Sequence, residues 1–167
     1  MRMELIQPFI NAADAVLAES LQAPTKIADL TMDENTYRRK GVAAIITIKG
    51  DIEGRVILDL APDVAMKVAS CLAGGPVEES EQVIRETVCE LANMVIGNSV
   101  TLLNDQGFRF KVFPPEVHMS EEGLAGTSDT EAMVICIETP CGEVYLNIAM
   151  RYLHRRRREQ ATVPALD

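Results

Sequence analysis

Apolar residues recur at two spacings along this chain, and the change from one to the other marks its elements. From Met3 to Leu21, the residues Ile6, Phe9, Ile10, Ala13, Val16, Leu17 and Leu21 fall three and four apart, the buried stripe of an amphipathic helix. Pro8 stands in its first turns, where a missing N–H is tolerated, and Pro24 closes the segment. Lys26–Met32 alternates loosely, as a short strand does. Val42–Lys49 and Arg55–Leu60 are rich in β-formers and flank Gly50-Asp51-Ile52-Glu53-Gly54, which predicts a hairpin. Pro62 and Asp63 open a helix through Val64, Val68 and Leu72, and Gly74-Gly75-Pro76 ends it. A long helix is expected from Glu81 to about Asn104, with Gly107 as its stop. Phe108–Phe113 alternates and runs into Pro114-Pro115. The acidic stretch Ser120–Thr130 reads as a loop, and Asp33–Lys40 as a charged turn. Ala132–Glu138 and Glu143–Met150 read as strands joined by Thr139-Pro140-Cys141-Gly142, a second hairpin.

A helix followed by strands therefore occurs twice, with an extra helix between, as a repeat of pattern rather than of residue identity. The expected fold class is α+β. A mainly antiparallel sheet is packed by long helices on one face and built from two pseudo-repeated helix–strand–strand–strand halves. Residues 1–150 form one domain, and residues 151–167 a basic C-terminal extension expected to be partly disordered.

Composition narrows the chemistry. The chain has 47% hydrophobic residues but no Trp, three Tyr and four Phe, so its core is built from Val, Ile, Leu, Ala and Met. So few aromatics leave no stacking platform for single-stranded nucleic acid. The net charge is −9. From Arg151 onward five arginines oppose Glu159 and Asp167, a net of +3 that leaves −12 on residues 1–150. A body this acidic does not bind nucleic-acid phosphates and suits a partner with exposed Lys or Arg. The run His154-Arg155-Arg156-Arg157-Arg158 is compatible with a solvated tail or with contact to an acidic surface. Cys71, Cys89, Cys136 and Cys141 form no C-x-x-C pair, and His118 and His154 have no ligand-like spacing to them. Reduced core cysteines are expected, and no metal site. No apolar run reaches membrane-spanning length and no signal peptide is seen, so the expected location is the cytoplasm.

The chemistry-bearing pattern lies in the long helix. Ile84, Val88, Leu91, Ala92, Val95 and Ile96 mark its buried side, while Glu86, Glu90, Asn93 and Gly97 step along the opposite side. Asn is a poor mid-helix residue because its amide competes for backbone hydrogen bonds. Gly costs about 1 kcal/mol there relative to Ala. The pattern taken alone fits either a solvated face or an amide and a bare backbone patch kept for a partner. Glu4-Leu5-Ile6-Gln7 in the first helix is a poor copy of Glu90-Leu91-Ala92-Asn93, so one site per chain is expected. No Ser/His/Asp triad, phosphate-cradling Gly loop or dinucleotide fingerprint is present.

Six segments stand in order along the chain: Gln7–Ala13, Gly50–Leu58, the helix Asp63–Leu72, Glu90-Leu91-Ala92-Asn93-Met94-Val95-Ile96-Gly97-Asn98, Phe113-Pro114-Pro115 and Val144–Met150. Together they resemble the CheC/CheX/FliY family of chemotaxis phosphatases, and its CheX branch in particular. The family pattern is Asp or Ser, three residues, Glu, two residues, Asn, then about two dozen residues to a Pro. Glu90 and Asn93 match it. Position 86 departs from it as Glu, and Pro115, with Pro114 as the other candidate, stands for the proline. The resemblance implies a CheC-like fold, a homodimer formed through sheet edges, and hydrolysis of the aspartyl phosphate of a CheY-like response-regulator receiver domain. Asn93 would orient the attacking water and Glu90 would pair with the regulator's active-site Lys. Mg²⁺ would be held by the regulator, with no cofactor on this chain. Glu86, Gly97 and Pro115 would bind the partner. Gly97 is equally readable as a packing contact, and Pro114-Pro115 as a strand terminator. The alternative function is a non-catalytic receiver-binding or dimerisation module of a signalling or motility complex.

Overall fold

Each long helix lies where its apolar stripe can be buried against alternate residues of one sheet. The computed structural model describes residues 3–33, 40–119 and 132–153. The elements run α1 (Met3–Leu21), β1 (Lys26–Asp33), β2 (Val42–Gly50), β3 (Ile52–Leu60), α2 (Pro62–Ala73), α3 (Glu81–Asp105), β4 (Phe110–Val112), β5 (Glu116–His118), β6 (Ala132–Thr139) and β7 (Gly142–Tyr152). The tail from His154 and the loop Ser120–Thr130 lie outside the described residues, as does most of the charged turn after Asp33.

The strands form one antiparallel sheet in the order β1-β6-β7-β3-β2-β4, with β5 also paired to β2. The two halves meet at the long β3–β7 ladder, which runs from Ile52↔Tyr152 to Leu60↔Val144. Each half lends its first strand to the other. β1 pairs with β6, and β4 and β5 pair with β2. The repeated halves are thus interlocked, and α2 is the extra helix between them. The core takes every second residue of the central strands: Val42, Ala44, Ile46 and Ile48 on β2, Val56, Leu58 and Leu60 on β3, Val144, Leu146, Ile148 and Met150 on β7. Phe9, Leu17, Val68, Leu91 and Val95 of the three helices close over that face.

The structure corrects several expectations. The first hairpin is tighter than a five-residue turn: β2 runs through Gly50 and β3 begins at Ile52, so Gly54 lies inside a strand. Asp51 at the bend is braced by Arg109, with Asp51 N–H donating to the Arg109 carbonyl at 2.8 Å and Arg109 N–H to Asp51 Oδ2 at 2.9 Å. The stretch expected as one strand, Phe108–Phe113, is short, and a further strand follows it. Prolines have no N–H to donate, so pairing along β2 stops at Pro114-Pro115 and resumes at Glu116. Leu72 is 40% exposed, because the buried side of α2 is Val64, Ala65, Val68 and Ala69. Cys71 is also exposed rather than in the core, whereas Cys136 and Cys141 are buried; all four are free thiols. In addition, β7 continues to Tyr152, past the domain edge expected at residue 150.

Candidate functional site

Helix α3 begins on Ser80, whose side chain accepts a hydrogen bond from Val83 N–H at 3.1 Å and so satisfies one orphan donor of the first turn. Burial of Ile84, Val88, Leu91, Ala92 and Val95 then fixes the helix rotation. That rotation leaves Glu86, Glu90, Asn93 and Gly97 all exposed. Ile96, expected on the buried side, is only half-buried.

The polar stripe faces two separate hollows. Asn93 borders one of about 470 Å³, with Cys89 and Ile96 of α3 on one wall and Val112, Phe113, Pro114 and Pro115 on the other. Both candidate prolines are thus brought to the amide. Arg85 helps to hold this wall: its Nη1 donates to the Val117 carbonyl at 3.2 Å, tying β5 to α3, and its Nη2 meets Glu81 at 3.4 Å. The Asn93 Nδ2 lies 3.8 Å from Cys89 Sγ, a long and weak contact that leaves the amide available to a ligand.

Glu86 and Glu90 border the other hollow, about 390 Å³, together with Val83 and Thr87 of α3, Val77, and Ala69, Leu72 and Ala73 of α2. Its floor is apolar and its α3 rim acidic. Glu86 Oε1 accepts from Gln82 Nε2 at 2.9 Å, whereas Glu90 has no hydrogen-bond partner among the described residues. Gly97 borders neither hollow. A Cβ placed on it would meet nothing within 4 Å among the described residues, so the packing reading of this glycine has no contact behind it. The structure therefore joins Asn93 with the prolines and Glu86 with Glu90, one helical turn apart, and leaves Gly97 as bare backbone one turn further on.

Sequence reasoning missed Arg85, Cys89, Phe113 and Leu72 as neighbours of these residues. Phe113 precedes the proline pair, and that adjacency was its only signal. The other cluster of titratable groups lies elsewhere, on the β6–β7 ladder. There Cys136 Sγ donates to Glu143 Oε2 at 3.1 Å, and Tyr145 Oη donates to the same oxygen at 2.8 Å. Burial pushes the Cys136 thiol up to about 11, and Glu143 is held below the usual carboxylate range by these two donors. Among the described residues no group of three or more His, Cys, Asp or Glu is placed to hold a metal ion. No helix among them is long and apolar enough to cross a membrane.

Residues 42–138 match the family model described as chemotaxis phosphatase CheX. No curated protein matches the chain significantly. Among solved structures, a CheC-like superfamily protein from Shewanella sp. PV-4 is similar at 22% identity and a TM-score of 0.80, over 90% of this chain and 99% of its own. A chemotaxis protein CheX from Desulfovibrio desulfuricans is similar at 21% identity and a TM-score of 0.78, over 89% and 99%. The CheX of a CheX–CheY–BeF₃–Mg²⁺ complex from Borrelia burgdorferi is similar at 29% identity and a TM-score of 0.70, over 90% of this chain and 99% of that one.

Proposed function

The chain belongs to the CheX family of chemotaxis phosphatases, and on that premise we propose that it hydrolyses the aspartyl phosphate of a CheY-like receiver domain. The observation that carries this reading is the placement of Asn93. An exposed carboxamide stands at the rim of a hollow walled by Pro114 and Pro115, with an exposed carboxylate, Glu90, on the preceding turn.

The division of labour follows from the chemistry. An acyl phosphate is already reactive, so the phosphatase need only position water in line and keep bulk solvent away. A carboxamide accepts a hydrogen bond from water with its oxygen and donates one with its nitrogen, and it brings no negative charge toward the phosphoryl oxygens. Asn93 performs that role, entering the receiver's active site from the exposed side of α3. Glu90 pairs with the receiver's active-site Lys. Mg²⁺ belongs to the receiver, a reading supported by the Mg²⁺ in the Borrelia complex. Glu86 adds negative charge beside Glu90, Pro115 walls the hollow, and Gly97 allows close approach of the partner backbone. The working location is the cytoplasm, where phosphorylated receivers occur.

Glu90→Gln removes the charge while keeping the shape. The expected result is a kcat/KM about tenfold lower, as for loss of one charge-assisted hydrogen bond, with KM raised. Steady-state decay of a phosphorylated receiver checks it, and an unchanged KM removes Glu90 from the docking surface. The test of the function as a whole is the same decay, with Mg²⁺ and catalytic amounts of the chain. Acceleration is expected. Tight binding of the phosphorylated receiver without acceleration supports the docking-module reading instead.

The homodimer is proposed to form through β1. This strand ends the sheet with Lys26–Thr31 all exposed, including Ile27 at 42% and Leu30 at 45%. An open edge with exposed apolar side chains invites pairing with a second strand. The opposite end of the sheet carries β4, β5 and the Asn93 hollow, so pairing at β1 leaves both sites of a dimer open. Ile27→Lys is expected to shift the sedimentation coefficient from dimer to monomer. A wild-type chain that sediments as a monomer at high concentration refutes the proposal.

A further inference from the structure

The structure assigns a second, chemically separate site: Cys71 on α2 and Cys141 in the β6–β7 turn form a dithiol that a hydroperoxide or a small-molecule disulfide oxidises to an intrachain bridge. Their Sγ atoms lie 3.9 Å apart, although the residues are far apart in sequence. A disulfide needs about 2.05 Å, a distance within reach of side-chain rotation and a small shift of the last turn of α2. That turn ends at Gly74, in the left-handed conformation with φ 78°, so it can adjust without breaking an element.

The turn that carries Cys141 is held on α2. Gly142 packs so closely that a Cβ on it would come within 2.6 Å of Val64 Cγ2. Thr139 Oγ1 donates to the Gly142 carbonyl at 2.7 Å and accepts from Cys141 N–H at 3.1 Å, which locks the turn. The two sulfurs are therefore brought together by the fold rather than by chance approach of mobile groups. Of the other two thiols, Cys136 donates to Glu143, and Cys89 makes a long, weak contact with Asn93.

Exposure assigns the order of events. Cys71 is exposed and meets the oxidant, while Cys141 is buried. Burial pushes the Cys141 thiol up to about 11, with the Cys71 sulfur adding to the shift and Lys67 of α2 opposing it, so Cys141 stays a protonated thiol shielded from the oxidant, and its 3.9 Å approach to Cys71 makes it the resolving sulfur. With a hydroperoxide, Cys71 sulfur attacks the peroxide oxygen, the O–O bond breaks, and a sulfenic acid and one alcohol or water form. Cys141 sulfur then attacks the sulfenic sulfur, the S–S bond forms, and the hydroxyl leaves as water with the Cys141 proton. With a disulfide, Cys71 first forms the mixed disulfide and Cys141 displaces the second thiol. Leu72 and Ala73, next to Cys71, wall the hollow that holds Glu86 and Glu90. The bridge therefore fixes the wall beside the proposed receiver contact, a consequence that rests on the function proposed above.

The test treats the reduced full chain with hydrogen peroxide or oxidised glutathione, alkylates remaining thiols, and maps peptides without reduction. The expected result is a Cys71–Cys141 linked peptide, loss of two hydrogen atoms in mass, and alkylated Cys89 and Cys136. In Cys141→Ser, oxidised glutathione is expected to leave Cys71 as a stable mixed disulfide. Cys71 over-oxidised or linked between chains, with Cys141 still alkylated, overturns the proposal. The wild-type map decides even where a variant fails to fold. It reads the bridge whether or not the chain has phosphatase activity, so the two proposals fail separately.

Discussion

Asn93→Ala is expected to lower the rate of receiver dephosphorylation by about 100-fold or more, the scale of losing the group that places a reacting water. The folded state should not suffer. Asn93 is exposed, and its side-chain hydrogen bonding among the described residues is the 3.8 Å approach to Cys89 Sγ. Alanine is the better helix former by roughly 0.5 kcal/mol, so the melting temperature should stay level or rise slightly. Those two signs together separate a catalytic amide from a structural one. A structural residue would lose stability and activity in proportion. A solvated residue would lose neither. Binding of the phosphorylated receiver gives a third readout: it should persist, because Glu86 and Glu90 border a different hollow from Asn93. Loss of binding together with turnover would move Asn93 from water placement to docking.

The helical stripes were legible in the sequence because burial dictates them. α1 and α3 occupy nearly the spans that the apolar spacing predicts, and the runs read as strands at Val42–Lys49, Ala132–Glu138 and Glu143–Met150 return as β2, β6 and β7. The interlocking of the two halves was less so, since no local pattern says that β1 pairs with β6 rather than with its sequence neighbour β2. β5 was missed for a related reason. Three residues behind a proline pair have no alternation of their own, and only the waiting edge of β2, from Ala43 to Ile45, makes them a strand. At the site, helical spacing gives the angle of a side chain about the axis of α3 but not the neighbour opposite that angle. Glu86, Glu90 and Asn93 were therefore readable as one stripe, whereas their division between a hollow toward α2 and another toward Pro114-Pro115 came only with the packing. Leu72 shows the same limit: spaced like a core residue, it emerges at the end of α2 as part of a wall beside Glu90.

Gly54 marks where a turn residue in the sequence is a close-approach residue in the fold, and it supports the second large prediction. It sits inside β3 at φ 152°, paired to Ile48 on one side and Met150 on the other. A Cβ there would stand 1.9 Å from the Ala149 carbonyl oxygen and 2.9 Å from Met150 Cα, both backbone atoms of the partner strand. No side-chain rotation relieves that clash, so β3 and β7 must separate along the ladder that joins the two halves. Gly54→Ala is expected to destabilise the chain by about 3–5 kcal/mol, the combined scale of strained backbone and overpacking. That corresponds to a fall of roughly 10 °C in melting temperature. Gly97→Ala is the contrasting case: the same methyl enters open space on an exposed helix face, which should raise stability by about 1 kcal/mol. Chemical denaturation of both variants tests the pair of signs, and a Gly54→Ala chain as stable as wild type would show that the ladder tolerates a side chain at this pair. Receiver dephosphorylation by Gly97→Ala then isolates the partner's need for bare backbone one turn beyond Asn93, because a loss of activity in a more stable protein cannot come from unfolding.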